Sequence, residues 1–95
     1  LFRSPVIRNL AIVVQQAIEL QTIYDGLQCN RPNVVREINL FDVYAGRGIE
    51  AGKKSLAFRI VMQDTRKTLL EADVDKAMQA LTTYLQETFA AQLRV

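Results

Sequence analysis

The chain has no histidine and no tryptophan, and Cys29 is its single cysteine in 95 residues. Each absence removes a class of chemistry. Without histidine there is no Ser-His-Asp or Cys-His catalytic group. With one cysteine there is no zinc site of the usual thiolate and imidazole kind and no internal disulfide, which fits a reducing compartment. No apolar run approaches the roughly 20 residues of a membrane span, and no signal peptide is visible. The first residue, Leu1, is not a methionine, so a processed or excised piece of a longer chain is expected. Phosphate-loop patterns are missing too. Gly46, Gly48 and Gly52 are spaced GxGxxxG and precede a strand rather than a helix. They read as positive-φ turn residues, not as a dinucleotide or Walker fingerprint.

What is present describes one small globular domain. Hydrophobic residues make up 49% and charged residues 23%, which suits a folded chain. The net charge is only +2, but it divides unevenly. The two expected helices hold Glu19, Asp25, Glu71, Asp73, Asp75 and Glu87 against Lys76, a charge of −5. The rest holds eleven bases and four acids, or +7. With both helices on one side of a sheet, the opposite side is basic and suits a polyanion.

Hydropathy periodicity gives the element order. Val6–Val14 alternates as a strand, with Leu10, Ile12 and Val14 on one side and Asn9, Ala11 and Val13 on the other. Ala17–Gln28 reads as a helix whose stripe is Leu20, Ile23, Tyr24 and Leu27. After the breaker-rich Cys29–Asn33, Val34–Tyr44 is a long strand whose alternation slips. Ile38 and Leu40 share one parity; Phe41 and Val43 share the other. A bulge at Leu40–Phe41 predicts that both pairs reach the core and that Asp42 and Tyr44 turn to the other face. Ser55–Gln63 alternates cleanly, with Leu56, Phe58, Ile60 and Met62 inward. Leu70–Ala90 is a second helix with a Val74, Met78, Leu81, Leu85 and Phe89 stripe. Thr68 and Glu71 have capping-box spacing, and Gln92–Val95 is a short final strand. The whole is α+β: a ferredoxin-like βαββαβ order, a four-stranded antiparallel sheet with two helices on one face and the other face free.

The free face is poor in aromatics. Phe58 falls on the core side, which disfavours a general RNA recognition motif. Tyr44 is the one stacking candidate, with Asp42 beside it to accept hydrogen bonds from a base edge, notably guanine N1 and N2. Ser55, Arg59, Asn9 and Arg94 are candidates for further hydrogen bonds or phosphate contacts.

The segments VIRNLAIVV (6–14), LFDVYAGRGI (40–49), GKKSLAFR (52–59), the KTL preceding the second helix and FAAQLR (89–94) lie in the order and spacing of one family. Over residues 1–95, taken as one domain, the chain closely resembles the C-terminal ferredoxin-fold anticodon-binding domain of bacterial phenylalanyl-tRNA synthetase β subunits. The resemblance implies a cytoplasmic, non-catalytic part of an α₂β₂ ligase that holds the anticodon stem-loop of phenylalanine tRNA. By motif it implies Asp42, Tyr44, Ser55, Ala11 and Arg94 as RNA-facing positions. Tyr44 would stack, Asp42 and Ser55 would read a base edge, and Arg94, Lys53 and Lys54 would hold the backbone. It implies no cofactor in this domain; ATP, magnesium and phenylalanine belong to the α subunit. Two departures stand out. Asn9 replaces the usual acid of RDLA, which loses a charge, and Leu70 sits where a polar cap is usual. The rival reading is a ferredoxin-like interaction or regulatory domain that binds a protein through its open sheet.

Overall fold

The computed structural model describes residues 4–94, and within them the elements run β1 (Val6–Gln15), α1 (Leu20–Cys29), β2 (Val35–Tyr44), β3 (Lys53–Met62), α2 (Glu71–Phe89) and β4 (Gln92–Leu93). The sheet order is β2-β3-β1-β4, all neighbours antiparallel. This is the expected α+β ferredoxin-like arrangement. Alternation decides the two central strands. Leu10, Ile12 and Val14 of β1 and Leu56, Phe58, Ile60 and Met62 of β3 are all at most 5% exposed. They form one core with Ile23 and Leu27 of α1 and Val74, Ala77, Leu81 and Leu85 of α2.

The helix starts differ from the sequence expectation. β1 continues through Gln15, a turn uses Gln16 to Ile18, and α1 begins only at Leu20. Ala17 has a high helix propensity, but the long strand and the turn take the residues first. Tyr24 is half-buried rather than core. With Leu20, Gln21, Asn39 and Leu40 it walls a hollow of about 410 Å³ beside β2. The two helices meet at Gly26, where any Cβ would run into the Tyr84 hydroxyl.

α2 begins at Glu71 with Leu70 as its cap residue, not Thr68. Leucine has no side-chain acceptor, so only the reciprocal half of a capping box forms: the Leu70 amide donates to Asp73 Oδ2 at 2.9 Å. That hydrogen bond, with Lys67 nearby, holds the Asp73 carboxyl below its ordinary value of 3.8. A carboxyl with a lowered folded pKa stabilises the fold above the unfolded value, and the contribution disappears as pH falls through the folded one. Asp73→Asn is therefore expected to lower the urea midpoint near neutrality, and the gap to wild type should narrow as pH falls through the carboxyl's lowered folded range.

At its other end α2 stops in a left-handed residue, Ala90 (φ 54°, ψ 34°), and Ala91 N–H closes back on the Leu85 carbonyl at 3.3 Å. This Schellman-like reversal sends the chain into β4. An alanine there carries Cβ strain that glycine lacks. Ala90→Gly is expected to stabilise the domain by about 0.5–1 kcal/mol, read from its denaturation midpoint.

The bulge in β2 is present: Leu40 pairs with Phe58 and Asp42 with Ala57, so Phe41 is the extra residue. A second irregularity lies at Arg36. The core prediction for Phe41 and Val43 is wrong, however. They are 57% and 47% exposed. Val43 pairs with the buried Leu56 and so faces the helix side, but none of the described residues covers that end of the hairpin. Ten-residue strands extend about 33 Å, whereas ten-residue α1 spans only about 15 Å. The β2–β3 hairpin outruns its cover, in keeping with a long axis of 48 Å against 23 and 20 Å.

Candidate nucleic-acid interface

Residues paired across antiparallel strands point to the same face. Register therefore maps the open face. Four rows cross it: Ile7–Val61–Glu37, Asn9–Arg59–Asn39, Ala11–Ala57–Asp42 and Val13–Ser55–Tyr44. The bulge puts Asp42 and Tyr44 on this side, as the sequence predicts. Asp42, Tyr44, Ser55 and Arg59 thus share one face although the hairpin loop separates them in sequence. Residues two apart on a strand lie about 7 Å apart, and diagonal neighbours on adjacent strands about 7–8 Å. That is the scale of one nucleobase. Ala11 and Ala57 keep the floor low between Asp42 and the far edge.

Arg94 joins the same surface from β4. Its amide donates to the Ala11 carbonyl at 2.9 Å, and its guanidinium Nη1 crosses β1 to donate to Ser55 Oγ at 3.1 Å. Ser55 is 2% exposed yet satisfied. Its oxygen accepts from Arg94, so its hydroxyl supports the guanidinium from below rather than standing open on the face. This contact joins positions 39 residues apart. Sequence spacing carries no signal of it.

Tyr44 is anchored at one end only. Its hydroxyl donates to the Arg47 carbonyl at 2.7 Å, and its ring end approaches Gly46, yet 39% of the residue stays exposed. Gly46 takes φ 134°, a conformation alanine would strain to adopt, so the glycine here serves the turn.

Of the two lysines, Lys53 shares the open-face parity of Ser55, but Lys54 is placed otherwise than the resemblance implied. Lys54 has the parity of Leu56, is 7% exposed and donates through Nζ to the Ile18 carbonyl on the helix side. It ties the turn before α1 to β3 and does not reach the open face. Parity alone could have told this, since Lys54, Leu56 and Phe58 alternate together. Lys53 pairs with Glu50 at 2.8 Å, its side chain 21% exposed. Arg8, on the helix side, and Lys67, in the turn before α2, pair with Glu71 and Asp73 at 3.5 and 3.6 Å. By contrast Arg47, Arg59, Arg94 and Asp42 make no ion pair among the described residues. Asn9 is exposed beside Arg59. The open face therefore offers unneutralised arginines, the carboxylates of Asp42 and Glu37 and one exposed aromatic.

The donor set suits no metal: among the described residues no three His, Cys, Asp or Glu groups are arranged to hold an ion. Among them, too, no helix is long and apolar enough to cross a membrane.

Comparison with known proteins identifies the family. The profile of a family described as the ferredoxin-fold anticodon binding domain matches residues 4–94. The chain is 56% identical over 90 residues to the phenylalanine–tRNA ligase β subunit of Dechloromonas aromatica, covering 95% of this chain and 11% of that protein. It is 42% identical over 90 residues to the same subunit of Nitrosospira multiformis, again 95% and 11%. It is 43% identical over 93 residues to that of Aromatoleum aromaticum, 97% and 12%. The chain thus spans roughly a tenth of the length of these relatives, 11–12%.

Proposed function

Since the chain belongs to the ferredoxin-fold anticodon-binding domain family, we propose that residues 1–95 are the anticodon-reading domain of a longer phenylalanine–tRNA ligase β subunit. In this reading the open face holds the anticodon stem-loop of phenylalanine tRNA and helps select it for ATP-dependent aminoacylation. The enzyme is a cytoplasmic α₂β₂ assembly. ATP, magnesium and phenylalanine bind in its α subunit, and this domain contributes binding rather than bond chemistry.

The observation that carries the reading is the convergence of Asp42, Tyr44, Ser55 and Arg94 around an alanine floor. Tyr44 offers a ring to stack on a base. Asp42 accepts hydrogen bonds, and Ser55 supports the Arg94 guanidinium. An edge with adjacent donors fits the carboxylate, and guanine has N1–H and N2–H. Arg59 and Asn9 extend the polar row, and the guanidinium of Arg94 adds positive charge for the RNA backbone. Lys53 is a weaker backbone candidate because Glu50 already neutralises it, and Lys54 supports the fold.

The test is titration of the whole assembled ligase with phenylalanine tRNA in which the first anticodon base, guanine, is replaced by adenine. Loss of the matched edge is expected to weaken binding by about 1–3 kcal/mol. Equal affinity for both tRNAs removes Asp42 as a base reader.

A further inference from the structure

The positive charge that sequence placed on Arg94, Lys53 and Lys54 is reduced on this face, because Lys54 is buried on the helix side and Lys53 pairs with Glu50. The hairpin tip holds a better candidate. Arg47 is exposed and makes no ion pair among the described residues. Its backbone is not free to wander: the Tyr44 hydroxyl holds its carbonyl at 2.7 Å, and Ile49 N–H closes on the Gly46 carbonyl at 3.0 Å. Tyr44 belongs to the open face, since it pairs with Ser55. The loop it grips therefore leans over that face rather than behind it. Stacking needs only a ring, and phenylalanine would provide one. The phenol is used for a second purpose, to set the loop.

We propose that Arg47 is a backbone-phosphate contact for the RNA strand that continues from the base stacked on Tyr44, and that the Tyr44 hydroxyl is what positions it. The proposal rests on the open-face RNA reading above. It assigns to one tyrosine both the base platform and the placement of the neighbouring charge. Arg47 suits a phosphodiester because its planar fork donates two parallel hydrogen bonds, which a lysine cannot do. Gly46 and Gly48, at φ 134° and 91°, flank it and let the backbone turn sharply on either side of Arg47.

The experiment measures the salt dependence of phenylalanine tRNA binding by the assembled ligase carrying Arg47→Gln, Tyr44→Phe, both together, or Arg47→Lys. Removing one phosphate contact on a single-stranded loop should make the log–log salt slope shallower by about 0.7. At about 0.15 M salt that is roughly a fourfold loss of affinity. Tyr44→Phe is expected to give the same change, the double variant no more than either alone, and Arg47→Lys a slope close to wild type. Tyr44→Ala serves as the control for the underlying reading. If it weakens binding while Arg47→Gln leaves the slope unchanged, the RNA reading stands and the Arg47 proposal falls. If Tyr44→Ala has no effect on binding, both fall. Additive losses for Tyr44→Phe and Arg47→Gln would overturn the positioning role of the hydroxyl. A loss of affinity at unchanged slope would mean that Arg47 contacts something other than phosphate, which overturns the proposal as well.

Discussion

Phe58→Ala is expected to lower the stability of the domain by about 3–5 kcal/mol, the range for removing a fully buried phenyl ring. Phe58 is 1% exposed on the central strand β3, flanked by Leu10 of β1 and Leu40 of β2. Neighbours anchored in a hydrogen-bonded ladder on both sides cannot collapse into the vacated space, so the cavity penalty adds to the lost transfer energy. A domain of this size is stable by only about 5–10 kcal/mol, so the variant should approach the unfolding threshold. Phe41→Ala provides the contrast. Phe41 is the bulge residue and 57% exposed, and its truncation should cost under about 1 kcal/mol. Urea unfolding of the 95-residue chain measures both. Comparable losses for Phe41 and Phe58 would contradict the exposed placement of the hairpin.

That contrast marks what the sequence carried and what it did not. Strict alternation in β1 and β3 made the core face legible residue by residue, and the parity slip at Leu40–Phe41 announced the bulge. Parity reports which face a residue takes. It does not report whether anything covers that face. Val43 lies on the helix side as its parity required, yet stands in the open because α1 is short and β2 long. Covering depends on the lengths of two elements far apart in sequence, so no local pattern contains it.

Lys54 failed for the opposite reason. Its parity with Leu56 and Phe58 was in plain view, but its charge and the motif resemblance argued for RNA. A lysine stem can bury its methylenes while its ammonium finds a carbonyl, here that of Ile18. The Ser55–Arg94 and Tyr44–Arg47 contacts were illegible for a third reason. Both involve the reach of a long side chain across the sheet or over a loop. Register and turn geometry must exist before such reach can be judged. What survives from sequence alone is the set of open-face positions. Their division of labour came only with the structure.

Tyr44→Ala in the assembled ligase is expected to weaken phenylalanine tRNA binding by about 1–3 kcal/mol, roughly 5- to 150-fold in Kd. The fold should survive, because the tyrosine is 39% exposed and its only polar contact among the described residues is the hydrogen bond to the Arg47 carbonyl. Loss of one such bond costs about 1 kcal/mol of stability. The kinetic signature separates anchoring from chemistry. The proposed role places no reacting atom on this face, so truncation should raise KM for tRNA and leave kcat for aminoacylation largely unchanged. A fall in kcat at constant KM would instead mean that the face transmits something to the catalytic step. The two substitutions at this position then partition the side chain. Phenylalanine keeps the ring and loses the grip on the loop, while alanine loses both. The difference between them isolates stacking from loop placement, and on the geometry of the open face stacking is the larger of the two.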